Sequence, residues 1–322
     1  MSRIILAVFD GLQPTQINEK LTPNLYQYSE KACVFENHHA VFPTVTRINA
    51  ATMVTGVYPG SHGLPANSFV DKESHGDEVI SAMEPVLSSM ATRNISVLKS
   101  KSLQEILALH DMEYVAIGVG TSGNAYLHNS LAEQCGGATI HPDFTLPSHL
   151  YDHLNVKYGP WPEADTPNTP RYEKAMDVFL DYVLKERDPA VALIWSSEPD
   201  KSQHLFGVGD YMSNQALFEA DKQFGRLLDY IDQNQPETHL FVLSDHGYST
   251  IIESVDIESE IMVGGFNKKT DQRDLLLAPN GASILFYFTH LDSVMVDDFV
   301  QWITEQPWCG SVLGSERIGE ID

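Results

Sequence analysis

The chain has 322 residues, 43% of them hydrophobic, enough to bury a large core and too many for a disordered chain. Its 44 acidic against 20 basic residues give a formal net charge of −24, a surface that repels polyphosphate backbones and argues against a nucleic-acid binder. No apolar run approaches the ~20 residues that span a bilayer, so no membrane partner is expected, and three cysteines without a C-x-x-C pair suggest neither a disulfide framework nor a cysteine zinc site.

In chain order, "RIILAVF" (3–9) reads as a buried first strand. Asp10 interrupts it too early for a signal peptide, which makes a cytoplasmic location the expectation. "FPTVTRINAATMVTGVYPGSHGL" (42–64) sets Thr44, Thr46 and Thr52 around a helical run that follows a proline. Threonine there has two readings: an N-cap for the helix, or a nucleophile at an anion-binding helix start. "YVAIGV" (114–119) is a further strand. The stretch 122–170, rich in Pro, Gly, His and Asn, reads as an irregular insertion or lid. In 171–187, Met176, Phe179, Leu180, Val183 and Leu184 recur with helical period; Leu217, Ala220, Phe224, Leu227, Leu228 and Ile231 do so in 214–233. "AVALIW" (190–195), "HLFVLS" (239–244) and "ASILFYF" (282–288) complete the strands. Strands apolar on both faces, alternating with helices, predict one α/β domain over 1–322: a three-layer α/β/α sandwich with a mainly parallel central sheet.

The strand ends carry the chemistry. In open α/β sheets ligands bind beyond the carboxyl ends of the strands. The first strand runs into Asp10, "AVALIW" into "SSEPDKSQH" with Asp200 and His204, and "HLFVLS" into Asp245 and His246. Asp200 and His204, four apart, share one face of a helical turn. Asp often caps a helix, but three strands each delivering one exceeds what capping explains. Five Asp and His groups without basic partners would repel one another unless a pair of divalent cations sat among them, and Asp with His suits zinc. A metal-activated Thr46 hydroxyl is then a competent nucleophile toward a phosphoryl group.

"FDGLQP" (9–14), "FPTVTRINAATMVTGVYPGSHGLPANS" (42–68), "WSSEPDKSQH" (195–204) and "SDHGYS" (244–249) together resemble the alkaline phosphatase superfamily, in its type I phosphodiesterase/nucleotide pyrophosphatase branch. The resemblance implies an alkaline phosphatase-like fold and a metal-dependent hydrolase acting on small phosphate esters, cleaving phosphodiester or pyrophosphate bonds through a phosphothreonine. It also implies that Asp10, Thr46, Asp245 and His246 hold one metal, that Asp200 and His204 hold the other, and that Asn67 donates to a phosphoryl oxygen. Two departures stand out. Arg47 follows Thr46 where many family members have an aromatic; it reads equally as a substrate-phosphate contact or a surface ion-pair former. A further metal-binding histidine, expected near the C-terminus in a Gly-His-Gly-like context, has no counterpart: after His246 only His290 remains, in the unlike context "FYFTHLDS". The end at "GSERIGEID" therefore reads as shortened. Alternatives are a phosphonoacetate hydrolase-like or phosphomonoesterase activity, or a catalytically weak metal-dependent binding protein; a sulfatase lacks its Cys or Ser. Homo-oligomerisation is left open.

Among the decoys, "GVGTSG" (118–123) matches a dinucleotide fingerprint, but Asp143 does not end a second strand, so a loop at the active-site rim is expected instead. His62 reads as a turn residue, and His38 and His39 as solvated.

Overall fold

A computed structural model describes residues 3–267, 274–290 and 292–314. The closing segment 315–322, on which the expectation of a shortened end rested, lies outside the described residues. The chain divides into two compact units where a single domain was expected: Met1–Asn67 with Ala82–Ile251, and Ser68–Ser81 with Ile252–Asp322.

The larger unit is built on a six-stranded sheet. Its strands are β1 (Ile4–Phe9), β2 (Tyr114–Gly118), β3 (Ala138–Ile140), β4 (Thr145–Leu146), β5 (Val191–Ser196) and β6 (His239–Leu243). They lie in the order β4-β3-β2-β5-β1-β6. All neighbours run parallel except β3 and β4, which are antiparallel. All six residues of β5 are buried, as a parallel strand covered on both faces requires. Over one face, Tyr172, Met176, Phe179, Leu217, Phe224 and Leu227 join Ile5, Phe9, Ile117 and Ile194 in the main core. They come from the helix Thr169–Val178, which widens into π-helical turns over Phe179–Arg187, and from the helix Tyr211–Asn234. Both match the periodic runs read from sequence.

The segment 122–170 is not an irregular lid. It supplies β3, β4 and the helices Ser122–His128, Ala132–Cys135 and His149–Tyr158; only 159–168 runs long without regular structure. Its prolines and glycines mark turns between short elements rather than an absence of elements.

The smaller unit has its own cluster of Ile261, Leu275, Phe299 and Ile303, with Phe266, Phe286, Phe288 and Trp302 against it. Here the expected strand 282–288 appears as Ser283–Phe288, paired antiparallel with Leu275–Asn280 and not in the central sheet. The two are joined by a tight turn at Gly281, whose φ of +65° suits glycine. Ser68–Val70 and Val79–Ser81 form a second hairpin, fastened to Asn280, which accepts from the Ser68 N–H and donates to its carbonyl.

Candidate active site

Because β5, β1 and β6 are adjacent and parallel, their carboxyl ends lie side by side. Asp10 follows β1, Asp245 follows β6, and Asp200 opens the helix α1 (Asp200–Phe206) beyond β5. Asp10 and Asp200 are tied directly: the Asp200 N–H donates to the Asp10 carbonyl at 3.0 Å. Between them Gly11 adopts φ +70°, and a Cβ there would come within 2.9 Å of the Asp200 Cβ. The "DG" pair is thus a steric requirement for bringing two carboxylates together.

Asp10, Asp245 and His246 can each offer a ligand atom within 4.8 Å of the others. His246 Nε2 lies 3.2 Å from Asp245 Oδ2 and 3.6 Å from Asp10 Oδ1. Its Nδ1 is 2.8 Å from the Gly247 carbonyl, which can only accept. Nδ1 therefore carries a proton, the orientation that turns Nε2 toward the carboxylates as the nitrogen able to serve as a ligand. His204 has Nδ1 3.0 Å from the Tyr248 hydroxyl, which can donate or accept, and Nε2 3.4 Å from Asp200 Oδ2.

Asp10 Oδ1, Asp200 Oδ1 and Asp245 Oδ2 are buried and accept no hydrogen bond among the described residues. Burial raises the Asp10 pKa well above the carboxylate range, with the Asp245 and Asp200 charges adding to it. Asp245 and Asp200 are also raised, first by burial. Three carboxylates with unpartnered buried oxygens, set beside two imidazoles, form a donor set that fits divalent cations.

Thr46 begins the helix α2 (Thr46–Thr55). No threonine caps it: Val45 is the N-cap and makes no side-chain bond, Thr44 is exposed, and Thr52 bonds to the buried His62 at 3.1 Å. His62 is therefore a core residue rather than a surface turn. The Thr46 hydroxyl instead lies 3.2 Å from His246 Nε2. Asn67 Oδ1 accepts the backbone N–H of Arg47 at 2.9 Å, which fixes the amide beside the first turn of α2 and leaves Nδ2 without a partner among the described residues. Arg47 forms no ion pair among the described residues. Its guanidinium reaches the Asn67 carbonyl, Thr121 Oγ1 and Met83 Sδ, while the Asp10 charge acts on it through space. The structure does not tie it to Asp or Glu as a surface pair.

Asp10, Thr46, Asp200 and His204 line one cavity of about 670 Å³. Gly120, Thr121 and Ser122 line it too, so the dinucleotide-like "GVGTSG" is the rim loop that was expected. Sequence reasoning missed three supports. Trp195, fully buried, donates its indole N–H to Asp10 Oδ2 at 3.0 Å. Glu198 accepts the N–H groups of Asn168 (2.8 Å) and Ser202 (3.0 Å) and so holds the start of α1. Gly11 N–H donates to Asp245 Oδ1 at 3.2 Å. Only Gly11 had a signal, its place after Asp10 at a strand end. His38 and His39 are exposed, as read.

Strand order, the three carboxylates at one sheet edge and the threonine-headed helix define an alkaline phosphatase-like fold. The family model described as type I phosphodiesterase/nucleotide pyrophosphatase matches residues 4–261, and the chain belongs to that family. It is 25% identical over 252 residues to a bis(5'-adenosyl)-triphosphatase of Xenopus laevis, covering 76% of this chain and 47% of that protein. It is 20% identical over 259 residues to human ectonucleotide pyrophosphatase/phosphodiesterase family member 5, covering 80% and 47%. The chain thus spans less than half the length of these curated relatives. Among solved structures, murine ectonucleotide pyrophosphatase/phosphodiesterase 5, an inactive threonine-to-alanine variant in complex with AMP, superposes with a TM-score of 0.63 at 14% identity, covering 95% of this chain and 71% of that one. Phosphonoacetate hydrolase from Sinorhizobium meliloti 1021 superposes with a TM-score of 0.59 at 17% identity, covering 76% and 56%.

Proposed function

We propose that this chain hydrolyses phosphodiester or pyrophosphate bonds of small molecules, with Thr46 as the nucleophile. The observation that supports this most is the Thr46 hydroxyl, free of any capping duty and 3.2 Å from His246 Nε2, beside carboxylate oxygens with no partner. Asp10, Thr46, Asp245 and His246 would hold one divalent cation, and Asp200 with His204 a second. When bound, such ions, zinc by this Asp and His chemistry, supply charge neutralisation and Lewis-acid polarisation of the phosphoryl group. Thr46 Oγ forms its bond to phosphorus as the opposite P–O bond breaks and the leaving oxygen departs. Water then cleaves the phosphothreonine, and the hydroxyl is regenerated. Asn67 Nδ2, its amide oriented by the Arg47 N–H, donates to the phosphoryl oxygen where charge develops. Turnover of bis(4-nitrophenyl) phosphate by the zinc-supplemented chain tests the reading. Thr46→Ala should lose at least about 10³-fold in kcat while keeping its circular dichroism and its zinc. Residual activity within about tenfold of wild type would remove Thr46 as nucleophile.

A further inference from the structure

The cavity holds more than a phosphoryl group needs, and part of its wall carries positive charge in a chain of net −24. Lys201 and Arg171 line the same cavity as Thr46. They come from different elements: Lys201 follows Asp200 on α1, and Arg171 lies in the first turn of the helix Thr169–Val178. The Lys201 ammonium makes no hydrogen bond or ion pair among the described residues. Arg171 is held by one edge, with Nε donating to the Pro162 carbonyl at 2.8 Å and its side chain only 13% exposed. Asp143 lies 3.7 Å from Nη1 and is 63% exposed, a loose pair, and Nη2 has no partner among the described residues. Asp165 and Glu198 also act on Lys201 through space, yet neither pairs with it. Two neighbouring cations that repel each other, one unpaired and one half-paired, make a site for an anion.

We infer that Lys201 and Arg171 form a subsite for a second anionic group, a phosphate or a carboxylate, carried by the organic part of the substrate. A simple diester leaves both cations without a partner, whereas a substrate charged at both ends satisfies the phosphoryl site and this wall together. The cations also offset the repulsion that an acidic surface imposes on such a substrate. The inference takes only the phosphoryl end from the hydrolase reading, and its test does not need turnover.

Titration calorimetry on the zinc-loaded chain would compare propylphosphonate, with one anionic end, with 3-phosphonopropionate and 1,2-ethylenediphosphonate, which carry a carboxylate or a phosphonate at the other. At least one of the latter pair should bind about tenfold tighter than propylphosphonate, as charge-assisted hydrogen bonds to two cations imply, and which one does so tells carboxylate from phosphate. The preference should fall toward one in Lys201→Gln and in Arg171→Gln, and Arg171→Lys should keep part of it. Equal binding of all three probes to the wild-type chain overturns the subsite, whatever the variants do. So does a preference that survives in the double Gln variant, since that reports chelation of the metal. Hydrolysis of bis(4-nitrophenyl) phosphate, measured in parallel, separates the two ideas: preference without turnover supports the subsite and sinks the hydrolase, and turnover without preference does the reverse.

Discussion

A threonine hydroxyl at a helix start is ordinary until its alternatives are removed. Here capping is absent, and among the described residues the Thr46 hydroxyl meets an imidazole nitrogen whose other nitrogen is committed to a carbonyl. Thr46→Ser should accordingly retain part of the rate that Thr46→Ala loses, measured on the same diester; equal loss in both would show that the methyl group, not the oxygen, matters. Asn67 makes a complementary case. A donor aimed at developing charge acts mainly in the transition state, so Asn67→Ala should lower kcat by about 10²–10³. A raised KM with unchanged kcat would contradict that role. Gly11 acts through its backbone N–H to Asp245 and through the room its missing side chain leaves beside Asp200. Gly11→Ala adds a left-handed strain of about 1 kcal/mol or more and pushes a methyl into Asp200. Zinc affinity should fall along with the melting temperature, and a variant with wild-type zinc binding would show that the two carboxylates tolerate separation.

At the scale of elements, α1 is short, and its carboxylate and imidazole are useful only if its start is fixed. Glu198 does this by accepting two buried N–H groups, one from α1 and one from the loop before the helix Thr169–Val178. Glu198→Gln keeps the shape but turns one acceptor into a donor facing a donor, at a cost of about 1–3 kcal/mol. The melting temperature and the zinc we propose for Asp200 and His204 should drop together; unchanged zinc stoichiometry in a destabilised variant would confine Glu198 to folding. The long-range part of this was not legible in sequence, because Asn168 lies 30 residues from Glu198 and Asp10 lies 185 from Trp195, separations that leave no period or spacing. What was legible is what repeats locally: the β1, β2, β5 and β6 runs, the two long amphipathic helices, and an aspartate at each of three strand ends. The strands β3 and β4, of three and two residues, fall below any detectable period, so their stretch was taken for a lid. The run 282–288 was found as a strand but given to the wrong sheet, since apolar composition does not name a partner.

At the scale of the whole molecule, two sets of buried groups pull stability in opposite directions with pH. His128 is buried with Nε2 unpartnered, and burial pushes its pKa down to about 3. It folds neutral, so its contribution is complete above the unfolded value near 6.5 and is lost as pH falls toward 3, by about 1.4 kcal/mol per pH unit of that window. Asp10, Asp200 and Asp245 have raised values, so without a cation they weaken the fold as pH rises above the ordinary carboxylate value of 3.8. A divalent cation binds the ionised carboxylates and so restores the high-pH side only. The melting temperatures of zinc-loaded and EDTA-treated chain should therefore nearly coincide near pH 4 and diverge steadily toward pH 8. His128→Phe should flatten the acid-side loss in both states without closing the gap at high pH. The two cation sites should also separate in titration, because one set offers Asp10, Thr46, Asp245 and His246 while the other offers only Asp200 and His204, fewer donors than a catalytic zinc usually takes from protein. A gap in melting temperature that stays constant across the pH range would mean that the buried carboxylates are not what the cation stabilises, and the metal reading of the strand ends would fall with it.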